Sequence, residues 1–522
     1  MGFDSQIFNA RHWMYLTLAA CITAAAPAIA FEGKKGVPSN PDPCTEAPQT
    51  TQLKWIPLKN TPDTQVVVDP LLLGGPHPKA HGLIYIVNGN GFGALHYKDL
   101  ATYYAERGYI VAIAMRPGGG LHTVEMLNHL QSLRSELRLP RLFPIALVGH
   151  SRGGGTVLEM AQRNFSDGLG FVIPAIVSIA PNVVDVGLVN GRATNGFLAL
   201  YGSQDEDMQG VGNPLREGFA AYDHIGTEAN TACTSLPCTM SEPSPTVDKA
   251  MVYVYGGDHG GFVGVGGKFP NGAMDYLDPA DQLCVTKAYT MGLLRWKLQG
   301  LEIYKGLLRG DWTPASVAAI VSSKADYAGH PAGTPLNRFV QFSPSVRSVV
   351  ADFQDAADVV SSAGMKTAIE DINASGLNAF RHDTRSLALM RAPSKQGEWA
   401  MIGVPEAQRD ATGMDRLSLR IGQIATGAAA SANPKGQDQA IWIGLGDGGG
   451  HFVYQRVQDW GRIPYPDLRN TFTPAHYHMN TVDIPLSAFA GIDLSDIRHV
   501  VLWSDALKRG EFSVDNIEFV SE

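Results

Sequence analysis

Between Gln65 and Gly300 six short runs, GLIYIVNG, GYIVAIAM, FPIALVGH, PAIVSIAP, GFLALYGS and KAMVYVYGG, are apolar on successive positions rather than on alternate ones. A strand with apolar side chains on both faces has no side to turn to water and must be covered on both. The segments that separate and follow them, YKDLATYYAER, TVEMLNHLQSLRSEL, GGTVLEMAQRNF and PADQLCVTKAYTMGLLRWKLQ, carry helical periodicity and supply the covers. Strands alternating with such helices predict a doubly wound, mostly parallel α/β sheet.

Past Gly310 the texture changes. A further short helix leads into YAGHPAGTPLNRF, whose Gly, Pro and polar content marks a linker. Beyond Val349, period-two runs such as RLSLRIGQ, QAIWIGLGD, HFVYQRVQ, RHVVLWSD and EFSVDNIEF recur with turn signals between them, the pattern of an antiparallel β-sandwich. A chain of 522 residues is long enough for two or three folding units, and the expected division is a leader over 1–30, an α/β domain over 31–322, a linker over 323–348 and a sandwich over 349–522.

The 41 basic and 50 acidic side chains leave a net charge of −9 with no basic run to neutralise phosphates, so nucleic acid is not an expected partner. Arg11 and His12 precede WMYLTLAACITAAAPAIA, an apolar stretch closing on Ala28-Ile29-Ala30, the small-x-small pattern of a secretory cleavage site. The mature protein is therefore expected to start near Phe31 and to be secreted or periplasmic. Leu18 to Cys21 offers a rival, lipidation at Cys21, but the apolar run continues past that cysteine. No other stretch is long and apolar enough to cross a bilayer, so no transmembrane segment is expected in the mature chain. Beyond the leader stand Cys44, Cys233, Cys238 and Cys284, an even set that reads as two disulfides in an oxidising compartment. Cys233 and Cys238 share one polar loop and are expected to pair locally, leaving Cys44 with Cys284. A zinc site is the rival reading, and the chain has no CxxC pair to support it.

One short motif bears on chemistry. Gly149-His150-Ser151-Arg152-Gly153 stands where the strand run FPIALVGH ends and a helical run begins. G-x-S-x-G is weak alone, but in this setting it reads as a turn that lifts a serine above the sheet, with glycines where any Cβ would collide. A serine hydroxyl is a poor nucleophile at neutral pH and needs a base to take its proton and a carboxylate to orient that base. His259, in MVYVYGGDHGGFVG, lies just past the last strand run between glycines and is the expected base. FLALYGSQDEDM presents Asp205, Glu206 and Asp207 after the preceding strand run, and Asp185 in APNVVDVG is a reserve.

On these residues the segment Gly82 to Gln299 resembles the α/β-hydrolase superfamily, and GHSRGGGTV is similar to the elbows of the dienelactone hydrolase, chlorophyllase and cutinase-like polyester hydrolase group. The resemblance covers 218 of the 522 residues. It implies the order nucleophile, acid, histidine, and favours Asp205 because the family's acid falls in a similar Gly-x-x-Asp setting, here Gly202 to Asp205. It also implies an oxyanion hole built from the Arg152 backbone N–H and a donor in the loop IVNGNGFGALHY, Asn90 or alternatively Gly91. A phosphate loop is the competing reading of NGNGFG, which lacks the spacing and lysine of one.

Phe92 and His96 stand near that loop as candidate pocket residues, with Tyr97 either there or in the core. No long apolar insert resembles a lipase lid, and the glycine-rich loop bearing His259 is expected to be mobile. The last segment, VDIPLSAFAGIDLSDIRHVVLWSDALKRGEFSVDNIEFV, resembles galactose-binding-like jelly rolls, including many carbohydrate-binding modules. Trp460 and Tyr465, in a loop, are candidates to stack on sugar rings, whereas Trp442 and Trp503 fall in strand runs and are expected in the core. His476 and His478 share a strand face but lack a third ligand, so no metal site is expected. No cofactor is implied, although modules of the resembling kind often carry a structural calcium.

The expectation is an exported carboxylic ester hydrolase working through an acyl-enzyme on Ser151, acting on a polymer-attached ester such as an acylated polysaccharide or polyester. Two alternatives stay open: a transesterase, perhydrolase, amidase or lactonase of the same fold, and an inactive glycan-binding surface protein. The sequence leaves acyl and alcohol specificity and oligomeric state undetermined.

Overall fold

Each of the six apolar runs forms a strand of one mixed sheet in the computed structural model, which describes residues 41–521 except 60–63, 74–77, 119, 184–185, 188, 203–204, 206–220, 223–224, 226–246, 255, 267–276, 324–337, 344–346, 352–358, 363–364, 372–384, 392–397, 424–440, 462, 464–479 and 505–509. The leader and the Cys233–Cys238 loop lie outside the described residues. In chain order the elements are β1 (Lys54–Pro57), β2 (Thr64–Val68), β3 (Leu83–Val87), α1 (Lys98–Ala105), β4 (Ile110–Ala114), α2 (Thr123–Glu136), β5 (Pro144–His150), α3 (Arg152–Ser166), β6 (Val172–Ile179), β7 (Gly196–Gly202), β8 (Asp248–Val254), α4 (Pro279–Gln299), α5 (Ile303–Arg309), α6 (Ala315–Ser323) and β9 (Arg338–Ser343).

The sheet runs β1-β2-β4-β3-β5-β6-β7-β8-β9, parallel from β4 through β8 and antiparallel at both margins. Its faces are covered as the apolar runs require. Ile84 and Ile86 of β3 join a cluster with Leu100 and Tyr104 of α1 and Tyr289 and Leu293 of α4. Leu83, Tyr85 and Val87 of the same strand join another with Leu127 and Leu130 of α2 and Val157 and Ala161 of α3. β4 is added on one side of β3 and β5 on the other, so the winding of the parallel strands switches there and leaves a crevice outside the carboxyl ends of β3 and β5. The loop after β3 and the turn after β5 meet there.

Two departures from the sequence reading concern the sheet margins. β1 and β2 precede the first expected strand, and residues 338–343, read as linker, form β9, paired antiparallel with β8 from Lys249↔Ser343 to Val254↔Arg338. The exposed edge of β8 offers a row of backbone donors and acceptors to any extended segment that reaches it. No local pattern in RFVQFS announces that pairing.

The second domain comprises β10 (Arg347–Ala351), β11 (Val359–Ser361), β12 (Met365–Asp371), β13 (Arg385–Arg391), β14 (Glu398–Gly403), β15 (Arg416–Gln423), β16 (Trp442–Asp447), β17 (Phe452–Arg456), β18 (Asn480–Pro485), β19 (Ile497–Ser504) and β20 (Gly510–Val520). One antiparallel sheet runs β12-β13-β20-β15-β18, with β10 also on β20, and the other runs β11-β14-β19-β16-β17. Leu417, Leu419, Val482 and Phe519 from the first pack against Ile402, Ile443, Leu445 and Val500 from the second. The result is an antiparallel β-sandwich following an α/β domain.

The segment before β1 is strapped to the helices at the far margin. Cys44 is disulfide-bonded to Cys284 of α4, the pairing expected for these two. Around it the Asp42 carboxylate accepts from the Ser316 backbone N–H (2.7 Å), Glu46 accepts from Arg295 Nη2 (2.6 Å), and the Tyr103 hydroxyl donates to the Pro43 carbonyl (2.8 Å). A crosslink spanning 240 residues restricts the unfolded chain strongly. Replacing Cys284 by Ser is expected to lower the unfolding free energy by about 2–5 kcal/mol, read from urea denaturation, and dithiothreitol should shift the parent protein by more than it shifts the variant.

Candidate active site

β5 ends at His150, and the chain turns at Ser151 directly into α3. Ser151 has φ 56° and ψ −124°, outside the regions a side chain ordinarily occupies. Such backbone costs of order 1–3 kcal/mol and persists only where its surroundings over-determine it. Here the Ser151 N–H donates to the Ile179 carbonyl (2.8 Å), while its own carbonyl accepts from Gly154 and Asn182 (2.9 Å each). The flanking glycines are required by contact. A Cβ at Gly149 would stand 2.1 Å from the Gly153 carbonyl oxygen, and one at Gly153 would stand 2.3 Å from that of Val87. Ser151 itself is buried, with 4% of its surface exposed.

Asp205 and His259 come together across the sheet top. Asp205 follows β7, its N–H donating to Gly202 (3.2 Å), and it is fully buried. His259 follows β8, and its Nδ1 lies 3.1 and 3.0 Å from the two carboxylate oxygens of Asp205. An Nδ1–H held by that carboxylate makes Nε2 the basic nitrogen of the ring. The reserve acid, Asp185, lies outside the described residues.

The segment bearing His259 is anchored to α4 at its start, and its glycine-rich continuation over 267–276 lies outside the described residues. Gln282, buried on α4, accepts from the Asp258 N–H (3.0 Å) and donates to the Asp258 carbonyl (2.7 Å), and the Asp258 carboxylate accepts from Gly261 N–H. The physical reason is that one glutamine side chain satisfies both backbone groups of the residue next to the histidine. Glycine content alone could not reveal that.

The loop after β3 is held with equal detail. Asn88 donates through Nδ2 to the carbonyls of Gly89 (3.0 Å) and Phe92 (2.9 Å) and accepts from Arg116 N–H (2.6 Å). The Asn90 side-chain oxygen accepts from the Arg116 guanidinium, so any donor role falls to the N–H groups of Asn90. Gly91 has φ 75°, a conformation suited to glycine. Arg152 opens α3, and N–H groups of a helix's first turn point out of its end rather than at a preceding turn. A Cβ on Gly89 would stand 2.8 Å from Ser151 Cβ, so this loop lies against the serine.

Phe92 meets both imidazoles, its ring centroid 4.6 Å from that of His150 and 6.0 Å from that of His259. His96 turns back on its own loop, where its Nδ1 accepts from Gly93 N–H (2.8 Å), and it touches the site only through the edge of Phe92. Tyr97 is buried in the core cluster and also hydrogen-bonded to the elbow. His150, Arg116 and Gln282 were not singled out by sequence; His150 stands inside the quoted motif, but nothing in the motif distinguishes its side chain from any other.

In the sandwich, Trp460 packs half-buried against the core, and Tyr465, His476 and His478 lie outside the described residues. Trp442 and Trp503 depart from the expected core placement. They alternate with Ile443 and Leu502, which are fully buried in the sandwich core, so both indoles stand on the opposite face of their sheet, half-buried and 6.0 Å apart. Strand register sets Trp399, Trp503, Trp442 and Arg456 in one row across that face. Gly444 and Gly446 leave room beside them: a Cβ there would stand 2.6 Å from the Tyr454 ring and 2.4 Å from the Phe452 ring. The two rings therefore lie down over the sheet, 19° from coplanar. The alternation of Ile443 and Leu445 with Trp442, Gly444 and Gly446 was the available signal.

Among the described residues no group of three or more His, Cys, Asp and Glu is arranged to hold a metal, and no helix is long and apolar enough to cross a membrane.

No protein-family model matches the chain, and no curated protein matches it. Among solved structures it is similar to the family 11 carbohydrate-binding module of the cellulosomal cellulase Lic26A-Cel5E of Clostridium thermocellum, at 16% identity over 34% of this chain and 95% of the module, with a TM-score of 0.23. The family 11 module of Clostridium thermocellum in complex with a β-1,3-1,4-mixed-linked tetrasaccharide is similar at 15% identity over 34% and 98%, with a TM-score of 0.24. At scores this low the likeness defines neither fold nor ligand for this chain.

The glycine contacts at the elbow carry a prediction. Gly153→Ala places a methyl against two backbone carbonyls and should cost about 3 kcal/mol, the upper part of the overpacking range. Gly413→Ala, where a Cβ meets nothing within 4 Å, should stay within about 0.5 kcal/mol of the parent. Urea midpoints for the two variants make the comparison.

Proposed function

We propose that this chain is an exported serine hydrolase of α/β-hydrolase fold that cleaves carboxylic esters attached to a polymer. The observation that carries the reading is the buried Asp205–His259 pair, whose imidazole packs on that of His150, next in the chain to a serine on a positive-φ turn between strand and helix. Ser151 Oγ attacks the ester carbonyl while His259 Nε2 takes its proton, then returns it to the leaving alcohol. Asp205 holds the tautomer and stabilises the imidazolium. The N–H groups of Arg152 and Asn90 receive the oxyanion; water, deprotonated by His259, then attacks the acyl carbon, the bond to Ser151 Oγ breaks, and His259 returns the proton to that oxygen as the acid leaves. Export is supported by the Cys44–Cys284 disulfide and the apolar leader.

Attachment to a polymer is supported by the aromatic rows on the sandwich. Rings lying flat along a sheet present stacking area to planar or ring-shaped repeat units at low entropic cost. An acylated polysaccharide fits that surface and the hydrolytic chemistry together.

Mass spectrometry after treatment with a fluorophosphonate should find one adduct, on Ser151, and a folded protein carrying no adduct there would overturn the mechanism. Ser151→Ala should lower kcat on p-nitrophenyl acetate by a factor on the order of 10⁶, and Asp205→Asn by about 10⁴, the scale set by loss of these roles in serine hydrolases. Replacing Trp442 and Tyr454 together by Ala should abolish sedimentation with insoluble polysaccharide while leaving kcat/KM on the soluble ester within twofold of the parent. Unchanged sedimentation would remove the sandwich from substrate attachment.

A further inference from the structure

His150 precedes the serine and is buried, yet hydrolysis as written above asks nothing of it. Its two ring nitrogens join separate parts of the site. Nε2 lies 3.0 Å from the backbone carbonyl of His259, which can only accept, so this nitrogen carries the proton. Nδ1 lies 3.0 Å from the Tyr97 hydroxyl. That hydroxyl in turn accepts from the Gly89 N–H at 2.8 Å, and Gly89 adjoins Asn90 in the loop assigned to the oxyanion. The only arrangement that serves every contact runs one way: Gly89 N–H to Tyr97 Oη, Tyr97 O–H to His150 Nδ1, His150 Nε2–H to the His259 carbonyl.

The relay needs a neutral imidazole, since a proton on Nδ1 would turn that nitrogen from acceptor into a second donor. The surroundings hold it neutral. Burial, and after it the neighbouring His259 ring, pushes the His150 imidazole well below its ordinary range, and burial raises the Tyr97 phenol so that it keeps its proton. Phe92 closes the cluster, its ring edge-on to His150 at 88°.

We propose that His150 and Tyr97 are positioning residues that fix, through one directional chain of buried hydrogen bonds, the distances among the oxyanion loop, the serine and the base loop. This rests on the hydrolase reading above. The three loops come from β3, β5 and β8, and among the described residues no backbone hydrogen bond sets their tips against one another. A donor displaced by a fraction of an ångström loses much of its stabilisation of a developing oxyanion while still admitting the substrate. The chain therefore acts on kcat more than on KM.

The test uses Tyr97→Phe, which removes one oxygen, and the pair His150→Phe and His150→Gln. Phenylalanine keeps the ring and loses both hydrogen bonds; glutamine keeps one donor and one acceptor. On p-nitrophenyl acetate, Tyr97→Phe and His150→Phe should each lower kcat at least tenfold with KM within twofold, and His150→Gln should recover part of the loss. Amide exchange is read on the same proteins, independently of activity. The peptides covering 88–93 and 256–264 should both exchange at least tenfold faster in Tyr97→Phe and His150→Phe, with β6 and α3 unchanged. Retention of the parental kcat and of slow exchange in both phenylalanine variants would overturn the proposal. Should Tyr97→Phe fail to fold, the His150 pair decides by the same readouts. A parent protein with no ester turnover, but with both loops loosened in the variants, would instead remove the hydrolase reading and leave the structural link standing.

Discussion

At the turn between β5 and α3, backbone meets backbone with no side chain between, and the site is built on that contact. Gly149, Gly153 and the carbonyl of Val87 approach closely enough that a single methyl on either glycine would force the helix from the sheet. The approach sets the start of α3 directly above β5 and holds Ser151 in a conformation it would not adopt in a relaxed chain. The strain is borne at the end of a strand buried on both faces and paired on both sides. A loop could not hold it.

Around that turn the molecule buries an unusual density of polar groups. Asp205, His259, His150, Asp258 and Gln282 are all withdrawn from water. Each would cost several kcal/mol if left without a partner, and the hydrogen bonds among them remove that cost while restricting every member to one geometry. Gln282 serves the His259 loop from α4, Arg116 and Asn88 serve the loop after β3, and His150 reaches the first directly and the second through Tyr97. The loops are consequently coupled to the sheet and to one another by buried hydrogen bonds.

The sandwich answers to a different constraint. Its core is sealed by two facing sheets, but the β11-β14-β19-β16-β17 sheet keeps an outer face on which aromatic side chains alternate with core residues. Glycines opposite Tyr454 and Phe452 allow those rings to lie along the sheet instead of standing on it. The sandwich also touches the α/β domain: Arg416 of β15 lies 4.0 Å from Asp311, and the Arg420 guanidinium lies over the Tyr222 ring.

The order and type of the main elements were legible because they follow from local rules. Continuous apolar runs need cover on both faces, period-two runs need it on one, and a serine between glycines at a strand end has few places to go. Those rules put Ser151 and His259 just past strand ends, the position of two cysteines in one loop left Cys44 to pair with Cys284, and the resemblance to α/β-hydrolases singled out Asp205. They could not locate β9, whose partner edge is created by folding, nor the solvent-side placement of Trp442 and Trp503, which depends on which face of a sheet meets its neighbour. Nor could they predict that Gln282 holds the backbone of Asp258 beside His259, since Gln282 is 23 residues from His259 in sequence. Sequence by itself determined the order and type of the strands and placed Ser151, Asp205 and His259 just past the ends of three of them. Only the tertiary structure decided how those residues are held, because holding is done by buried hydrogen bonds between groups far apart in the chain, and their pairing exists only once water has been excluded.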